Sequence, residues 1–254
     1  VRITDSEIVE IKQNFDKKYG IRIIHQKKIA SIQTTDNQNI EKDIDNIFET
    51  ISNFKPREFW KGLPYKTSAR KIERTFDEKL EGISGKNSMD IAQSMINSAD
   101  NEKINTITGS LNIVSEDFQL RNSQGLEFND KATYVSGIIN AESEQGNIPV
   151  SGIGHASGRT LSNFSKEQIG EDAKIMCIES INPQKIESDT YPIIFEPYSV
   201  GELLAFVVAS NFNFKTFTEK KSCFSNKLKE EIGIKEFNLI DDPYAPEGIG
   251  TKSI

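Results

Sequence analysis

The stretch from Ile104 to Glu142 constrains the fold more than any other part of the chain. It alternates apolar and polar residues, as at Leu111, Ile113 and at Phe118, Leu120, and the alternation breaks at Asn122-Ser123-Gln124-Gly125. A period of two marks strands with one buried face. Asn and Gly tolerate the backbone angles of a tight hairpin turn. Strands joined by so short a link must run antiparallel, because parallel neighbours need a crossover of a dozen or more residues. The reading is therefore a meander of long antiparallel strands. It continues through residues 148–160 (IPVSGIGHASGRT), where glycine in a strand marks a bend or a close backbone approach.

Helices are expected around this sheet. Ile40, Ile44, Ile47, Phe48 and Ile51 fall at helical spacing behind Asn37 and Asn39, two capping residues, and predict a helix over 40–54. Met89, Ile91, Ala92, Met95, Ile96 and Ala99 predict a second over 88–100. A third, over 165–181, starts at Ser165 with Gln168 three places on, the pattern of a capping box, and buries Ile169, Ala173, Met176 and Cys177. The opening residues read as strands, with a hairpin turning at HQKK (25–28), and residues 55–87 as a long ordered loop. The polar segment NPQKIESDTYP supplies a boundary, giving a first domain over 1–187 and a second over 188–254. Beyond it, IIFEP reads as a buried strand and residues 199–210 as a helix. That helix is apolar on every side and so needs cover all round, from further strands or a partner chain.

Composition removes several function classes. The net charge of -7 is wrong for a surface that neutralises phosphates, so nucleic acid is not expected as a partner. No apolar run approaches the roughly 20 residues that span a bilayer, and the first 20 residues are too charged for a signal peptide. Two isolated cysteines, Cys177 and Cys223, fit a reducing compartment, so the expected location is cytoplasmic. The only histidines, His25 and His155, lie far apart, which rules out a histidine pair on one helix. Glu230-Glu231 and Asp241-Asp242 read as solvated charge pairs, and Cys223 has no base beside it.

Several segments, in this order, resemble the TldD/PmbA family, the modulator-of-gyrase and metallopeptidase-related proteins. They are NSQG (122–125), SGIGHASGRT (151–160), SKEQIGEDAKIMCIES, YPIIFEP, the helix after Ser199, KSCFSNKL (221–228) and IDDPYAPEGIGTKS (240–253). The resemblance implies an α+β fold: an N-terminal α/β domain with a long antiparallel sheet and flanking helices, then the start of a mainly antiparallel β domain, here incomplete. Catalytic members carry His-Glu-x-x-x-His on the helix after the YPIIFEP-like strand. Two imidazoles there hold a zinc ion that acidifies a bound water, and the carboxylate takes its proton. In this chain Ala205, Phe206 and Ser210 stand at those positions, and none can do that work. The chain thus resembles the PmbA/TldE type, with no catalytic residue and no cofactor of its own. The resemblance implies a non-catalytic subunit that pairs with a zinc-bearing TldD-type paralogue acting on small or unfolded peptides. Two alternatives stay open: a self-associating dimer that binds peptide as a scaffold, and a peptidase with ligands beyond residue 254. His155 and Arg159, in the glycine-rich stretch, and Asn122 and Ser123, in the turn, are the candidate peptide or interface residues. Each has a structural reading beside it: a satisfied strand histidine, an ion-paired arginine and a plain hairpin turn.

Overall fold

A computed structural model describes residues 1–35, 38–58, 60–65 and 70–251. The chain divides into two compact units, Val1–Pro183 with Pro243–Ile254, and Gln184–Asp242.

The first unit is built on a five-stranded sheet of order β2-β1-β5-β6-β7, antiparallel throughout. Its strands are β1 (Arg2–Thr4), β2 (Glu7–Glu10), β5 (Thr106–Arg121), β6 (Glu127–Ser143) and β7 (Val150–Gly158). The meander is thus the centre of the fold, with β5 and β6 in unbroken register from Thr106↔Glu142 to Arg121↔Glu127. Alternation sets the faces: Ile107, Leu111, Val135, Ile139 and Ala141 are buried on one side, while Ser136, Ile138 and Asn140 lie on the other. The buried face carries α3 (Gly85–Ala99) and α4 (Lys166–Glu179), which contribute Met95, Ile96, Ile169 and Ala173 to one core. An antiparallel sheet can leave its second face to solvent, since side chains on the two faces alternate. A smaller layer precedes it. The hairpin β3 (Tyr19–His25) and β4 (Lys28–Thr34) turns through Gln26 and Lys27, both at positive φ, and packs Ala30 against Ile47 and Ile51 of α1 (Ile40–Ile51).

The predicted helices form, with differences at their ends. Asn39 takes the N-cap position of α1, whereas Asn37 lies outside the described residues. Helix α3 starts earlier than its apolar spacing predicts, because the Ser84 hydroxyl accepts from the Asn87 N–H at 3.1 Å. The capping box at α4 does not form. Ser165 makes no side-chain cap, and Gln168 instead donates to Asp172 at 2.6 Å, an i,i+4 pair that takes it away from the helix start. A four-residue helix, α2 (Glu78–Glu81), interrupts the long loop and buries Leu80.

In the second unit the expected strand at Ile193-Ile194-Phe195 is not formed. The segment is extended but exposed, with Ile194 98 % accessible. A strand is stable only when its backbone groups meet a neighbouring ladder, and none runs beside it among the described residues. No strand occurs among the described residues of 184–242, so the β-rich character expected there is not expressed in this stretch. The apolar helix does form, but in three pieces: α5 (Pro197–Glu202), a π-helical segment Leu203–Val208 and a 3₁₀ turn Ala209–Phe212. α6 (Phe214–Thr218) follows, capped by Asn213. Among the described residues no helix is long and apolar enough to cross a membrane.

Candidate functional site

The sequence candidates separate in space. His155 is exposed on the open face of β7, opposite Ile138 of β6. Asn122 and Ser123 sit beyond the far end of the hairpin. Glu127 and Ile138 of β6 are eleven residue steps apart, roughly 36 Å at about 3.3 Å per residue. One peptide terminus cannot touch both ends. The Asn122 side chain is also committed: its Oδ1 accepts from the N–H groups of Gln124 and Leu126 at 2.9 and 3.1 Å, and its Nδ2 donates to the Pro64 carbonyl at 2.9 Å. Gly125 closes the turn at φ +78°, so the structural reading accounts for the NSQG motif. Ser123 is exposed at the tip. His25 lies on the small hairpin with its ring edge toward Phe48, the centroids 6.5 Å apart.

Arg159 occupies a polar corner where β7 ends. It is 1 % exposed. Its Nε and Nη2 donate to the Gly248 carbonyl at 3.0 and 2.9 Å, and Nη2 also donates to the Thr251 carbonyl at 2.6 Å. The Tyr134 ring lies 4.2 Å from the guanidinium carbon, a cation–π distance. The carboxylate anticipated for this arginine is absent among the described residues; carbonyls and a ring take its place. Thr133, fully buried, donates to the Arg159 carbonyl at 2.8 Å and accepts from the Asp77 N–H at 2.9 Å. Asp77 caps α2 through the Lys79 N–H and receives the Leu161 N–H at 2.9 Å. Glu247 pairs with Arg74 at 2.6 Å and accepts from Asn163 at 3.0 Å. The hydrogen bond from Arg74 is the main reason the Glu247 carboxyl sits below its ordinary range; partial desolvation opposes the shift. Ser157, Gly158, Arg159, Asn163, Glu247 and Ile249 line a cleft of about 470 Å³ there. Sequence reasoning missed Thr133, Asp77, Asn163 and Glu247. Thr133, Asp77 and Glu247 lie tens of residues from Arg159, Asn163 lies four positions on, and no local pattern links them.

Ala205 and Phe206 lie in the π-helical segment and Ser210 in the 3₁₀ turn. Two hydrocarbon side chains and one hydroxyl offer no imidazole and no carboxylate, so these residues do not fit the zinc ion that the resemblance associates with this helix. Among the described residues no three His, Cys, Asp or Glu side chains gather as they would to hold a metal.

Residues 188–254 match the sequence model of the PmbA/TldA metallopeptidase C-terminal domain. The sequence match to this family covers about a quarter of the chain. No curated protein matches it. The fold of the chain is shared with solved structures. One, described as a candidate modulator of a DNA gyrase from Thermotoga maritima, superposes with a TM-score of 0.82 at 20 % identity, covering 99 % of this chain and 57 % of that one. A candidate modulator of DNA gyrase from Bacteroides thetaiotaomicron gives 0.78 at 20 % identity, over 91 % and 55 % of the two chains. TldE from Thermococcus kodakarensis gives 0.75 at 17 % identity, over 89 % and 53 %. The chain thus spans a little more than half the length of each structure it resembles.

Proposed function

We propose that this chain is a TldD/PmbA-family protein, a TldE-type, non-catalytic subunit of a cytoplasmic peptidase whose zinc is supplied by a TldD-type paralogue. One observation supports the reading: the helix that the resemblance aligns with the metal-binding motif carries Ala205, Phe206 and Ser210. Hydrolysis at a zinc centre needs ligands that stay neutral or anionic and a base that accepts a proton. A methyl group, a phenyl ring and a lone hydroxyl provide neither, so this chain contributes surface rather than chemistry. The open face of the sheet, with His155 at its β7 edge, is the surface offered to small or unfolded peptides.

The test is to purify the full-length protein alone and together with its TldD-type paralogue, then measure zinc content and peptide hydrolysis. The expected result is no stoichiometric zinc and no cleavage for the protein alone, and a stable complex that holds zinc and cleaves. One tightly held zinc per chain with cleavage by the protein alone overturns the proposal. A peptide-binding self-dimer that ignores the paralogue replaces it with the scaffold reading.

A further inference from the structure

Residues Pro243–Thr251 return to the first unit and lie as a strap across the end of β7. The strap is folded on itself: the Gly248 N–H donates to the Ala245 carbonyl at 3.2 Å, the Thr251 N–H to the Gly248 carbonyl at 3.1 Å, and the Thr251 hydroxyl to the Ala245 carbonyl at 3.0 Å. These turns present two carbonyls, those of Gly248 and Thr251, to one guanidinium. Around that contact stand the Glu247 pair with Arg74 and Asn163, and Arg70 over the Tyr244 ring at 5.1 Å.

The outer contacts are exposed and contribute little singly. The central one differs. A buried cation is costly to desolvate unless its N–H groups find acceptors. Here every acceptor of the Arg159 side chain comes from the strap, and Nη1 is buried with no acceptor among the described residues. An undocked strap would leave the guanidinium with the Tyr134 ring alone, while loss of the guanidinium would take the Arg159 donor from the Thr251 carbonyl and leave the Gly248 carbonyl with the Thr251 N–H alone. Each side of the contact needs the other, which favours a strap that is either docked or released over one that slackens by degrees.

We infer that Arg159 is a positioning residue, a latch that holds residues 243–251 on the end of β7 and thereby builds the cleft whose walls include Glu247 and Ile249. The cleft is present only while the strap is docked, because two of its lining residues belong to the strap. Nothing in this inference depends on the proposed peptidase role.

Hydrogen exchange of the full chain, read peptide by peptide, tests it. In Arg159→Ala the amides of 244–251 are expected to exchange about tenfold faster or more, the scale of losing hydrogen bonds to a charged donor, while β6 and α3 keep their protection. Arg159→Lys keeps the charge and much of the volume. Its ammonium cannot lie flat on Tyr134 and reach both carbonyls in the fork geometry of a guanidinium, so the same local loss is expected. If Arg159→Ala loosens the whole unit, Arg159→Lys decides. Strap amides that stay as protected in Arg159→Lys as in the wild type overturn the latch, and so does an unchanged strap in a folded Arg159→Ala.

Discussion

Gly154 leaves no room for a methyl group. A Cβ built there would overlap the Ile169 carbonyl oxygen of α4 and lie 2.9 Å from the Ala173 nitrogen; at Gly152 it would meet the Ala173 carbonyl and the Cys177 nitrogen. These atoms are helix backbone and cannot swing aside as a side chain would. Gly154→Ala should therefore destabilise the first unit by about 1–3 kcal/mol, the usual cost of overpacking, seen as a lower midpoint in chemical denaturation. An unchanged midpoint would show that α4 can withdraw freely. The glycines were legible in the sequence as a close backbone approach. Their partner was not: a neighbouring helix, and not a ligand, explains them, and nothing in the SGIGHASG string separates the two. Cys177 shows the same limit. It was expected on the buried face of α4, and burial, followed by the nearby Glu142 charge, raises its thiol pKa. That Gly152 lies against its backbone could not be read from helical spacing.

Among elements, the long hairpin was the most legible, because its period-two stretches read as strands and the turn residues between them agree. The strap was not legible at all. Its residues have no periodicity, and what fixes them is an arginine some ninety positions earlier. The strap should also respond to acid. Glu247 has its carboxyl held below the ordinary 4.5, chiefly by the hydrogen bond from Arg74 and further by Asn163, while Glu73 is the other acid acting on Arg74. A depressed carboxyl contributes stability that is present above the unfolded value of 4.5 and is lost as pH falls through the folded one. The difference in unfolding midpoint between wild type and Glu247→Gln should thus be present at pH 6 and vanish progressively below 4.5. A difference that persists into strong acid would show that the charge on Glu247 does not matter. The missing capping box at α4 carries a related lesson: the Gln168 side chain, which in that motif would accept from the Ser165 N–H, instead donates to Asp172.

Across the whole molecule the two units differ in what they bury. The first has a continuous core, whereas the second leaves Phe206 80 % accessible and exposes Ile193, Ile194 and Val207. An apolar surface of that kind favours association and binds environment-sensitive dyes. The 254-residue chain should accordingly take up more such dye than the variant Phe206→Asp with Val207→Asp, measured by fluorescence titration at equal concentration. Equal uptake would place the dye-binding surface elsewhere. The all-apolar helix was legible from its composition, but its division into α, π and 3₁₀ turns was not, because hydrophobicity that runs all round leaves no face to set the pitch. The strand order has a different consequence, one of timing. Ile3 is paired with Gly109, so β1 has no seat in the sheet until more than a hundred further residues exist. At about 5–20 residues per second of synthesis that delay is roughly 5–20 s, and pairings across so long a stretch of chain are also slow to close. During translation β1 can pair with β2, but the edge of β1 that faces β5 must wait unpaired, a window in which a chaperone or an unwanted neighbour could reach it first.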